Sequence, residues 1–159
     1  VPYCLFINES QDATGFGSTT SSISEESQHQ NMTCLIVEDS ATISKVMVRC
    51  VERRGWQTYV AKDGEEGLRL MKTRNWGVVF MDDQLPLLSG SACVVKFRKW
   101  EAENRVARQK HLYMVSANCH PNISTIVPQG FDGAMGKPFK AANLTEILKS
   151  AETKAPTLL

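Results

Sequence analysis

The feature that most constrains this chain is a set of short apolar runs, each stopping abruptly at polar residues. Thr33–Val37 (TCLIV) stops at Glu38-Asp39, Gly77–Met81 (GVVFM) at Asp82-Asp83, and His111–Val115 (HLYMV) at Ser116. Runs of this length that are apolar throughout, rather than alternating, suit strands buried on both faces. That is the condition of a parallel sheet covered by helices. Two weaker runs complete the set: Thr58–Ala61 before the turn Lys62-Asp63-Gly64, and Gly133–Met135 leading into Lys137-Pro138.

The intervening segments carry apolar residues at helical spacing. Ser40 is suited to cap a helix with Ile43, Val46, Met47, Cys50 and Val51 on one face, ended by Gly55. A second helix directs Leu68 and Met71 inward, and Ser91–Trp100 forms a third with Val94, Val95 and Phe97 among its apolar positions. A short helix is expected within Asn122–Gln129, disturbed by Pro128, and Ala142–Ala151 makes the last. Strand and helix alternate five times, which predicts an α/β fold with a doubly wound five-stranded parallel sheet.

A chain of 159 residues is close to the size of one domain. Residues 8–31 are rich in Ser, Thr, Gln, Glu and Gly and poor in large apolar residues, so residues 1–31 read as a disordered linker or extension. The folded domain is expected over 32–151, with 152–159 as a tail. The net charge of +1 and the lack of a basic face or helix-turn-helix pattern argue against nucleic acid as a partner. Arg105, Arg108 and Lys110 read as a solvated loop. Cys4, Cys34, Cys50, Cys93 and Cys119 are odd in number with no CxxC spacing, which suits reduced thiols and a cytoplasmic protein. No apolar run is long enough to span a membrane, and VPYCLFI is too short for a signal peptide.

In an open parallel sheet, ligands bind beyond the carboxyl ends of the strands. Here those ends supply Glu38 and Asp39, then Asp82, Ser116 and Lys137. Three crowded carboxylates repel one another and need a cation, and an all-oxygen donor set favours Mg²⁺. A metal neutralising phosphoryl oxygens, a carboxylate left to attack, a lysine ammonium and a serine hydroxyl together suit phosphoryl transfer.

The stretches CLIVEDS, VVFMDDQLPLLSG, MVSAN and GKPF stand in the order, and nearly the spacing, of the response-regulator receiver family. The chain resembles that family from Cys34 to Ala151. The resemblance implies a flavodoxin-like (βα)5 receiver fold with strand order 2-1-3-4-5. It implies Asp82 as the phosphoacceptor, taking its phosphoryl group from phosphohistidine. It further implies Mg²⁺ held by Asp39, Asp82 and the backbone carbonyl of Gln84, with Glu38 acting through water or outer contacts. Ser116 and Lys137 would hold phosphoryl oxygens, Lys137-Pro138 would be cis, and Pro86 and Gly90 would shape the loop after Asp82. Asp83 reads as a bystander, and Gln84 and Asn118 flank the site where a hydrolytic water would lie. Cys119 and His120 near the rim read as structural or neutral.

The resemblance also implies a histidine kinase or a histidine phosphotransfer protein as partner. The Ser/Thr-rich linker, a first residue other than Met, and the segment RKWEAEN favour the C-terminal receiver of a hybrid sensor histidine kinase. On that reading the domain catalyses only its own phosphorylation and dephosphorylation, while the parent chain is a histidine kinase. The alternatives are a stand-alone response regulator and a pseudo-receiver that binds partners without phosphorylation. A haloacid-dehalogenase-type phosphatase is disfavoured, because its second Asp position holds Gln84. One departure from the family stands out: Ala134 occupies the usual aromatic position three residues before Lys137. With Pro128, it predicts that phosphorylation acts weakly on partner binding, or through another surface such as the loop 83–90.

Overall fold

The computed structural model describes residues 32–117 and 127–152. Within them the elements run β1 (Thr33–Val37), α1 (Ala41–Glu52), β2 (Gln57–Ala61), α2 (Gly64–Met71) and β3 (Val78–Asp82). They continue with α3 (Gly90–Asn104), β4 (Leu112–Ser116), β5 (Gly133–Gly136) and α4 (Ala141–Glu152). All strand pairs are parallel and the sheet order is β2-β1-β3-β4-β5, as expected. The helix expected within 122–129 falls almost wholly outside the described residues, as do residues 1–31, 153–159, Asn118, Cys119 and His120.

The central strands are buried along their whole length. Alternation along them sorts side chains onto two faces. Leu35, Val37, Val79 and Met81 meet Met71 of α2 and Cys93, Val94 and Phe97 of α3. Cys34, Ile36, Val78 and Phe80 meet Met47 and Val51 of α1 and Leu144 and Leu148 of α4. The wholly apolar runs in the sequence thus reflect helices on both sides of the sheet. Lys137-Pro138 is cis.

The face of α1 differs from expectation, and one valine of α3 also turns outward. Val46 is 46% exposed and Val95 is 54% exposed. Each stands one residue from an inward neighbour, Met47 or Val94, and one residue turns the helix by about 100°. Helix α1 instead packs through Ser44, Met47 and Val51, and Cys50 is only half-buried. Helix α3 also continues past Trp100 to Asn104, where Arg105 ends it in a left-handed conformation with φ of 51°.

The charged loop after α3 is more organised than its composition suggested. Arg105, Arg108 and Lys110 are all exposed, as expected, and Arg108 also pairs with Asp132 at 2.8 Å. Gln109 is buried, and its amide accepts from the backbone N–H of Trp76 at 2.8 Å and donates to the Trp76 carbonyl at 2.6 Å. Its own N–H donates to buried Glu101, while Arg98 binds Glu101 at 2.9 Å and the carbonyls of Gln109 and Gly130 at 2.9 Å each. This network closes the end of the sheet remote from Glu38 and Asp82. No helix among the described residues is long and apolar enough to cross a membrane.

Replacing Gln109 by Leu strands both backbone groups of Trp76 away from water. The expected cost is about 2–4 kcal/mol of stability, measured by urea denaturation. Burial pushes the Cys93 thiol up to about 12 and raises Cys34 further still. Both are therefore expected to resist a disulfide reagent at about pH 8 while the protein is folded, and to react once it is denatured. Site-resolved mass mapping checks this.

Candidate functional site

The carboxyl ends of β1, β3, β4 and β5 converge, because the sheet is parallel and these strands are neighbours. At the end of β1, the Glu38 N–H donates to the Ala61 carbonyl at 3.0 Å, which continues the sheet by one residue. The Glu38 carboxylate turns inward, 2% exposed, and its Oε1 accepts from the Ser40 N–H at 3.1 Å. Ser40 caps α1 by accepting from the Ile43 N–H at 3.4 Å. The cap is therefore the serine, while Asp39 stands exposed beside the cluster.

Asp82 ends β3 and is buried. Its Oδ1 accepts from the Gln84 N–H at 3.1 Å and its Oδ2 accepts from Lys137 Nζ at 2.7 Å. The same ammonium lies 2.7 Å from Glu38 Oε2. One cation thus bridges two buried carboxylates. Oxygens of Glu38, Asp39 and Asp82 all lie within 4.8 Å of one another. Ser116 ends β4, is buried, and pairs in register with Gly136. Its carbonyl accepts from the Lys137 N–H at 2.9 Å, so Ser116 and Lys137 are held side by side across β4 and β5.

The electrostatics follow from this crowding. Burial raises the Glu38 carboxyl above the usual range, helped by the charge of Asp82 and opposed by Lys137 and the Ser40 N–H. For Lys137, burial acts to lower the pKa, but hydrogen bonds to Asp82 and Glu38 outweigh it and hold the ammonium above the ordinary lysine value. Three carboxylates against one ammonium leave an excess of negative charge, and every donor is an oxygen. That donor set fits a hard divalent cation.

The sequence does not reveal the contacts that Asp83 makes. Asp83 faces away from the cluster but is tied down: its Oδ1 accepts from Ser91 Oγ at 2.6 Å, and its carbonyl accepts from the Gly90 N–H at 3.0 Å. Alternation was the available signal. Asp82 follows Val78 and Phe80 onto one face of the sheet, so Asp83 follows Val79 and Met81 toward α3. Gly90 lies against the back of Asp82, and Gly64 lies against the Leu88 carbonyl. Leu87 forms the exposed tip of the same loop with φ of 65°. Ala134, on edge strand β5, is exposed.

Residues 34–149 match the model of the response regulator receiver domain, and the chain belongs to that family, the receiver modules of two-component phosphorelay signalling. Among curated proteins it is 30% identical over 115 residues to hybrid signal transduction histidine kinase A of Dictyostelium discoideum, covering 72% of this chain. That match spans only 5% of the relative's length. The receiver domain of sensor histidine kinase PA1611 from Pseudomonas aeruginosa, solved with magnesium in its active-site cleft, superposes with a TM-score of 0.64 at 24% identity. The match covers 77% of this chain and 98% of that one. The Saccharomyces cerevisiae Ssk1 receiver domain, solved with the phosphotransfer protein Ypd1, gives a TM-score of 0.66 at 21% identity, covering 76% and 88%. At these identities the two structures speak to the fold alone.

A Cβ on Gly90 would stand 2.1 Å from the Asp82 carbonyl oxygen, which is backbone and cannot step aside. Gly90→Ala is expected to cost about 3 kcal/mol or more, because relief requires moving β3 or α3. Urea denaturation beside wild type checks it.

Proposed function

We propose that this domain accepts a phosphoryl group on Asp82 from a phosphohistidine, with Mg²⁺ held by Asp39, Asp82 and the Gln84 backbone carbonyl and with Glu38 in supporting contact. The observation that carries the reading is the single ammonium of Lys137 shared between Asp82 Oδ2 and Glu38 Oε2 at 2.7 Å each. It sets a compensating positive charge beside the buried carboxylate at the end of β3, the group that would attack phosphorus. Bound Mg²⁺ supplies charge neutralisation for the phosphoryl oxygens.

The chain's own groups divide the remaining work. An Asp82 carboxylate oxygen forms the new P–O bond as the P–N bond to the donor imidazole breaks. The Gln84 N–H holds Asp82 Oδ1 and so limits its rotation. Lys137 and the Ser116 hydroxyl stabilise the phosphoryl oxygens, Lys137 as a point charge and Ser116 as one hydrogen-bond donor. Because the chemistry asks mainly for positioning and electrostatics, these few groups suffice.

The wider setting belongs to the same proposal. Residues 32–151 form the receiver, which we read as part of a hybrid histidine kinase. The kinases it is similar to by sequence support this, and those receivers are small parts of long chains. The donor or acceptor is then a histidine kinase or a histidine phosphotransfer protein. A cytoplasmic setting agrees with the free thiols of Cys34, Cys50 and Cys93.

Incubating the chain with acetyl phosphate and Mg²⁺ is expected to add one phosphoryl group, read by intact mass and absent from Asp82→Asn or after chelation. Lys137→Met is expected to slow uptake about a hundredfold, the cost of removing one preorganised charge from the reacting centre. A folded wild-type chain that takes up nothing would sink the proposal.

A further inference from the structure

We propose that Asp83 is a positioning residue, acting through Ser91 to hold Gln84 in place, so that its N–H faces the phosphoacceptor and its carbonyl, one peptide further on, is available to the divalent cation. The inference rests on the metal reading above and assigns work to a residue outside the acidic cluster.

The geometry is a clamp on the loop between β3 and α3. The Asp83 N–H still pairs with the Val115 carbonyl at 3.2 Å, so its backbone belongs to the sheet. Its carbonyl accepts from the Gly90 N–H at 3.0 Å, and its carboxylate accepts from Ser91 Oγ at 2.6 Å. One residue is thus tied to β4 on one side and twice to the first turn of α3 on the other. Gln84 follows directly and is exposed, so its peptide has little packing of its own to hold it. Its N–H nevertheless bonds Asp82 Oδ1 at 3.1 Å. The orientation of the Asp83–Gln84 peptide is therefore set by how firmly Asp83 is clamped, and that peptide in turn limits where the Gln84 carbonyl, on the next peptide, can point.

The side chain's direction completes the argument. Asp83 is a fourth carboxylate within one residue of a cluster that already carries excess negative charge. Strand alternation carries it to the α3 face, where the Ser91 hydroxyl and the positive end of α3 stabilise its charge. The same bond that fixes the loop keeps this carboxylate out of the cluster. Outer contacts that orient ligands in this way are commonly worth a large part of metal affinity.

The test compares the full chain with Ser91→Ala, Asp83→Ala and Asp83→Asn, measuring Mg²⁺ affinity by calorimetry and Gln84 amide hydrogen exchange without metal. Ser91→Ala and Asp83→Ala are expected to weaken Mg²⁺ binding about tenfold, while Asp83→Asn, which keeps an acceptor for Ser91, stays within about twofold of wild type. In the metal-free protein, Gln84 exchange is expected to quicken about tenfold in the two alanine variants. If Asp83→Asn binds as weakly as Asp83→Ala while Ser91→Ala matches wild type, Asp83 acts through its charge alone and the clamp is overturned. Unchanged Gln84 exchange in Ser91→Ala overturns it equally. A wild type that binds no Mg²⁺ refutes the metal reading, and the exchange rates then still decide the clamp by themselves.

Discussion

Everything at the carboxyl edge of this sheet depends on one ammonium group. Glu38 and Asp82 are both buried, and two carboxylates so close together repel each other. Lys137 sits within 2.7 Å of each, and that contact makes the arrangement tolerable. The register of β4 with β5 delivers the lysine to this point, with the Ser116 carbonyl holding its N–H. The fold thus serves the site by bringing residues from distant parts of the sequence to neighbouring strand ends. The remaining negative charge is what invites a divalent cation.

The same logic explains why so much was legible in advance. Strands buried on both faces must be apolar throughout, so β1, β3 and β4 were visible as runs and their last residues as a set. Glu38, Asp82, Ser116 and Lys137 do meet, and Asp39 lies beside them. The strand order itself came from resemblance, since apolar runs do not reveal which strand lies next to which.

What stayed hidden has specific causes. Val46 falls at helical spacing with the inward residues of α1, yet helix phase sends it outward, as it does Val95 on α3, where an isolated apolar side chain is ordinary. Gln109 looked like one more polar loop residue, but its amide replaces the missing partners of the Trp76 backbone. A hydrogen-bond match between residues 33 apart leaves no local trace in the sequence. Asp83 was masked by the importance of its neighbour, and only the two-residue period of β3 separates their directions.

A bond at the opposite corner bears on how this chain assembles. Glu152, near the end of α4, accepts from Arg54 at 2.8 Å and from the Trp56 indole at 2.9 Å. Those partners are 98 and 96 residues away along the chain. Closing so long a loop is less costly once the intervening strands are paired, so this contact is expected to form after them. It is then a seal on the folded state, expected to lie outside the folding nucleus. Loosening it is then expected to shorten the lifetime of the native protein by speeding unfolding more than it slows folding.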